Sequence, residues 1–191
     1  MNNTTATSKK VHPHKFQMWI AMASIIMAFS GLISAYLVKM NQENWKSFNL
    51  PNIFTISTFV ILISSVTMHL ALRAFKSREM PNYRIFITVT AFLGVLFIYL
   101  QIQGFYTTSH GGIILIGKGA NASGSFLLVI AGLHILHVLG GVITLLVQFF
   151  RAFNSKVRSY SATPIEITAQ YWHFVDILWI VLFVFLLIAD K

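Results

Sequence analysis

The chain has no cysteine. That excludes a disulfide, a thiolate zinc site and any cysteine-ligated copper or iron–sulfur centre. Charge is scarce as well: only 10% of the 191 residues are charged, and only 5 of those are Asp or Glu. A soluble domain of this length carries far more charge. It also lacks the interior to hide a chain that is 56% apolar with 17 Phe. Lipid is the solvent this composition suits. The formal charge of +9 has no soluble basic domain to host it, so nucleic-acid binding is excluded as a reading. It fits the loops of a polytopic membrane protein instead.

Apolar runs, rather than motifs of soluble enzymes, dominate what is present. Five stand out, at about 17–39, 53–74, 85–106, 125–150 and 171–189. The shortest spans about 28 Å as a helix, enough to cross a hydrocarbon core of about 30 Å. The expected fold is all-α, a bundle of five transmembrane helices in a single domain over 17–191. A mobile tail, 1–16, precedes it. The first run is too long for the apolar segment of a cleavable signal. Lys9, Lys10, Lys15, Arg73, Lys76, Arg78, Arg84, Arg151, Lys156 and Arg158 fall on one side of this arrangement. Lys39, Lys46, Lys118 and Lys191 fall on the other. The positive-inside rule then puts the amino terminus in the cytoplasm and the carboxyl terminus outside.

Two helix faces read as packing surfaces. Ser24, Ala28, Gly31 and Ala35 form a small-residue stripe in the first helix, suited to close backbone approach. Ala131, His134, His137 and Gly141 share a face of the fourth that points into protein or a cavity.

The polar groups at membrane depth are the candidate site residues. His69, His134, His137 and His173 read first as imidazoles tied by hydrogen bonds to neighbouring helices. His69 and His173 lie at matching depth, so a haem b between them is a rival reading. His134 and His137 offer two metal ligands without a third. His173 and Asp176 are three apart and can meet, either as an ion pair anchoring the fifth helix or as a proton-handling couple. Glu166 suits the dipole at a helix start. Arg151 is either ordinary positive-inside decoration or a clamp for a lipid phosphate. Tyr171 and Trp172 suit a half-wet membrane entrance. No phosphate loop, nucleophile elbow or zinc helix motif is present.

In order along the chain, the residues resemble subunit III of the haem-copper cytochrome c oxidases. The resemblance rests on Gly124-Ser-Phe, the run from Gly132 to Gly141 containing His134 and His137, Arg151, Glu166, and Tyr171-Trp-His-Phe-Val-Asp176 followed by Trp179. Ser64-Ser-Val-Thr-Met-His-Leu-Ala71 and Leu100-Gln101 match earlier parts of the family pattern. It covers residues 17–189. It implies a non-catalytic subunit in a bacterial inner membrane, with no haem, copper or other metal of its own. It also implies bound phospholipid, and partners in catalytic subunit I, subunit II and a possible subunit IV or respiratory supercomplex. In that family the subunit stabilises the catalytic subunit and supports its proton uptake during oxygen reduction and proton pumping. By similarity the matching polar positions are Arg151, His134, His137, Glu166, Trp172, His173 and Asp176.

Three departures stand against the pattern. Many relatives have two further helices before the first one here, which a lengthened catalytic subunit can supply. Ile25 takes the place of their glutamate, and Gly104 and Thr107 follow Leu100-Gln101 where relatives carry acids. The alternatives are the corresponding subunit of a quinol oxidase, a nitric-oxide reductase accessory protein, a small haem b anchor and a transporter. Paired broken helices, the usual sign of a transporter, are absent from the sequence.

Overall fold

A computed structural model describes residues 13–41, 45, 50–153 and 162–189. The described residues form five α-helices: α1 Pro13–Met40, α2 Asn52–Lys76, α3 Met80–His110, α4 Ala122–Phe153 and α5 Thr163–Ala189. All five are long and apolar enough to cross a membrane. Lys9, Lys10, Lys46, Lys156, Arg158, Lys191 and most of the expected tail lie outside the described residues.

α1 to α4 run past their apolar stretches at both ends, and α5 at its start alone. α5 differs most from expectation, starting at Thr163 rather than near 171. Thr163-Pro164 with Glu166 in the first turn is a helix-start signal, and the moderately polar stretch behind it continues the helix. The Tyr171–Asp176 segment therefore lies between about two and four turns inside α5, and Trp172 and Asp176 are buried, not at an entrance.

Packing runs α2 on α3, α3 on α4, and α5 in the trough between α2 and α4. α1 lies over α4 and α5 and does not pack on α2 or α3. Its inward residues are Phe29 and Tyr36. The small-residue stripe does not serve as a seam inside this chain. Ser24, Ala28, Gly31 and Ala35 are all exposed, and nothing lies within 4 Å of where a Gly31 Cβ would sit. On α1 it is the two buried aromatic rings, not the small residues, that set the inner face.

The expectation for α4 holds. Ala131, His134 and Gly141 are buried and His137 is half-buried. Trp172 sits where α3 and α4 each offer a glycine. A Cβ on Gly94 would come within 2.7 Å of its ring, and one on Gly141 within 2.8 Å.

Candidate functional site

The polar groups of the bundle interior form a ladder built on one face of α2. Trp179 Nε1 donates to Thr58 Oγ1 at 2.9 Å, and Trp172 Nε1 donates to Ser64 Oγ at 3.0 Å. Ser65 Oγ and His173 Nδ1 lie 2.7 Å apart. From α3, Gln101 Nε2 donates to Ser57 Oγ at 2.9 Å, and Thr90 bonds Thr67 at 2.9 Å. Hydroxyls do this work well because each donates to its own helix and still accepts from a neighbour: Ser57 and Thr58 both donate to the Phe54 carbonyl. Such interhelical bonds average only about 0.6 kcal/mol each in membranes. The ladder therefore fixes the register of α5 against α2 more than it holds the bundle together.

The histidines divide. His173 ties helices together through Ser65, as expected. His137 turns back to the Leu133 carbonyl of its own helix at 2.7 Å. Its own carbonyl accepts from the Tyr171 hydroxyl at 3.0 Å, which is the link to α5. His134 contradicts the expectation of an interhelical tie. It is fully buried, and neither ring nitrogen has a hydrogen-bond partner among the described residues. Aromatic rings enclose it instead: Trp179 at 5.1 Å, Phe97 at 6.0 Å and Phe29 at 6.4 Å between centroids.

Asp176 does not form the pair expected with His173. The residue is 2% exposed, and neither carboxyl oxygen has a hydrogen-bond partner among the described residues. The Ser65 hydroxyl lies near the carboxyl, but its close contact is with His173. The ion pairs among the described residues converge on Glu166. Lys15 of α1 reaches one carboxylate oxygen at 2.7 Å, and Lys76 of α2 reaches the other at 2.9 Å. A helix-dipole role for Glu166 was expected, but not these partners, which come from two other helices. All three groups remain partly exposed, so each pair contributes about 0.2–1 kcal/mol. Glu166→Gln is expected to speed protease cutting ahead of α1 with little change in overall melting. Limited proteolysis beside a thermal scan checks this.

Arg151 is exposed in the last turn of α4. Arg84 holds the same helix end: its Nε donates to the Ala152 carbonyl at 2.9 Å, and its guanidinium lies 5.3 Å from the Phe153 ring centre. That C-terminal tie was not anticipated. One helical face of α4 carries Thr144, Val147, Gln148 and Arg151. The first three line a groove of about 490 Å³ with His14, Ile143, Thr163, Pro164, Ile167 and Thr168. Gln148 and Thr168 are joined at its back, 3.4 Å apart. An apolar groove with a few hydroxyls and an arginine one turn beyond its floor has the chemistry of a site for an acyl chain with an anionic head.

No group of three or more His, Asp or Glu side chains among the described residues is placed to hold a metal ion. His69 and His173 do approach, 6.4 Å between ring centroids. A porphyrin between them needs their helices held apart, whereas α2 and α5 pack directly.

The model of the family described as cytochrome c oxidase subunit III matches residues 15–190. This chain belongs to the cytochrome c oxidase subunit III family. It is 32% identical over 170 residues to the probable cytochrome c oxidase subunit 3 of Nocardia farcinica, covering 86% of this chain and 82% of that one. It is 30% identical over 192 residues to the corresponding Mycobacterium tuberculosis protein, covering 94% and 92%. A third relative, subunit 3 of the cytochrome bo(3) ubiquinol oxidase of Buchnera aphidicola, is 27% identical over 192 residues, covering 97% and 92%. Members of the subunit III family are components of haem-copper terminal oxidases, so this is a multi-pass membrane protein that associates with other oxidase subunits. The Trp172, His173 and Asp176 positions that carried the resemblance all lie on α5, where it meets the ladder on α2.

Proposed function

We propose that this protein is the non-catalytic subunit III of a bacterial cytochrome c oxidase in the inner membrane. In this reading it binds phospholipid, stabilises catalytic subunit I against inactivation during turnover and supports its proton uptake. Haem and copper belong to the partner subunits, I and II. The family match over residues 15–190 carries the reading. The groove beside Arg151 supports the lipid part of it. The orientation, amino terminus in the cytoplasm, draws support from the Lys15–Glu166–Lys76 cluster. It brings the start of α1, the end of α2 and the start of α5 to one membrane side with most of the basic residues.

The test is an oxidase purified with and without this subunit and held at continuous turnover. The subunit-free enzyme is expected to start at comparable activity and decay several-fold faster. Undiminished activity through prolonged turnover would overturn the stabilising role. Arg151→Leu is expected to lower the phosphorus bound per complex without dissociating the chain. An unchanged lipid content would remove Arg151 from the lipid site. The Buchnera relative favours a second reading, subunit III of a quinol oxidase. A subunit II that binds copper through cysteines in the purified complex decides for the first, and a subunit II without such copper for the second.

A further inference from the structure

The bundle exposes ionisable groups at a depth where lipid does not tolerate them. His69 is exposed on α2, and His173 is half-exposed on α5 with its ring 6.4 Å away. Both residues stand seven positions into the membrane from the Lys76–Glu166 pair. That is about 10 Å along the helix axis. Ionisable side chains at such depth face protein or a water-filled cavity almost without exception. Neither interior nor cavity receives His69 here.

The surroundings have the form of a helix-docking surface. On α2, Leu62, Val66, His69, Arg73 and Lys76 follow one another at alternating spacings of four and three. On α5, Glu166, Gln170, His173 and Ile177 do the same. That spacing keeps one ridge facing a partner helix along its whole length. The two ridges run side by side, with contacts at two levels, Lys76 to Glu166 and His69 to His173. α1 and α2 do not pack on each other, so α5 is open between them. The membrane end of this face is apolar, with Val66 and Ile177 both 60% exposed. At the other end Lys15 and Lys76 share one carboxylate, Glu166, with Arg73 on the same ridge as Lys76 and the two imidazoles about 10 Å deeper, so positive charge is in excess there. Its charge complement is acidic.

We propose that the α2–α5 face centred on His69 and His173 is the docking surface for an acidic transmembrane helix of a neighbouring oxidase subunit. This rests on the subunit reading above and adds to it the location of the contact and the chemistry of the partner. The imidazoles, which both donate and accept, meet a carboxyl or hydroxyl at their own depth, and the apolar ridges beyond them seat the rest of the helix.

The experiment uses the assembled complex in native membranes. Val66, Ile177 or, on α3, Phe92 is replaced by the photo-crosslinking residue benzoylphenylalanine. Phe92 is equally exposed, at 66%. Positions 66 and 177 are expected to crosslink to another oxidase subunit several-fold more than position 92, at sites flanking an Asp or Glu. His69→Leu with His173→Leu is expected to abolish those crosslinks while the chain stays in the membrane. Crosslinks to lipid or to a second copy of this chain overturn the proposal, as does equal labelling at 92. If the wild-type chain co-purifies with haem-bearing chains, those failures touch the docking face alone. If it does not, both readings fall.

Discussion

Gly141→Ala and Gly94→Ala are each expected to destabilise the bundle by about 1–3 kcal/mol, the usual cost of overpacking a filled interior. The added methyl would stand 2.8 Å from the Trp172 ring in the first case and 2.7 Å in the second. Trp172 is 1% exposed and pinned through its indole nitrogen to Ser64, so it cannot swing away. Denaturation in mixed micelles gives the free energies. Trp172→Leu in the Gly141→Ala background is expected to return part of the loss, because the two changes share one contact and do not add. By contrast, Trp172→Phe removes mainly the bond to Ser64 and is expected to cost only about 0.6 kcal/mol beyond the change in ring volume. Equal, small effects from both glycine variants would show that the close approach of α3 and α4 to this ring is not tight.

Trp179→Ala is expected to have the largest effect of any single change, about 3–5 kcal/mol for deleting a buried indole. The ring is fully buried and lies 5.3 Å from Phe97 and 5.1 Å from His134. Its nitrogen is also the bond from α5 to Thr58. The loss has a second consequence. His134 has no hydrogen-bond partner among the described residues, and the cavity left by the indole would lie against it. A buried polar nitrogen beside new space draws in water. Trp179→Phe keeps most of the ring volume and is expected to recover most of the stability while still breaking the Thr58 bond. The comparison of the two variants by micelle denaturation, with proton exchange of the His134 ring followed by NMR, separates volume from hydrogen bonding.

The five helices were legible because each apolar run is long enough to cross the bilayer, and length is a one-dimensional property. The buried face of α4 was legible for a similar reason, since His134 and Gly141 cannot comfortably face lipid. The start of α5 was harder to see. Residues 163–170 are only moderately apolar, and the Thr163-Pro164 signal counts for more than hydropathy there. The stripe on α1 failed as a seam because periodicity tells which residues share a face but not what that face meets. Phe29 and Tyr36 occupy a neighbouring face, about 120° round the helix, and determined the packing. His134 and Asp176 were read by their ability to hydrogen-bond. Enclosure by Phe29, Phe97 and Trp179 in the one case, and the diversion of Ser65 to His173 in the other, depends on contacts across 37 to 108 residues of chain that no local pattern encodes. The joint attachment of Lys15 and Lys76 to Glu166 is of the same kind.

The position of α5 sets the order in which this bundle can be completed. It occupies the trough between α2 and α4, carries both indoles into it and supports α1 from beneath. On the ribosome it emerges after all four of the helices it touches or closes over. Until then the hydroxyls of α2 and the glycines Gly94 and Gly141 line an unfilled channel, and α1 has only α4 to rest on. The fifth helix thus acts as a keystone, and a nascent chain halted before it would present the quality-control proteases of the membrane with a half-built arch.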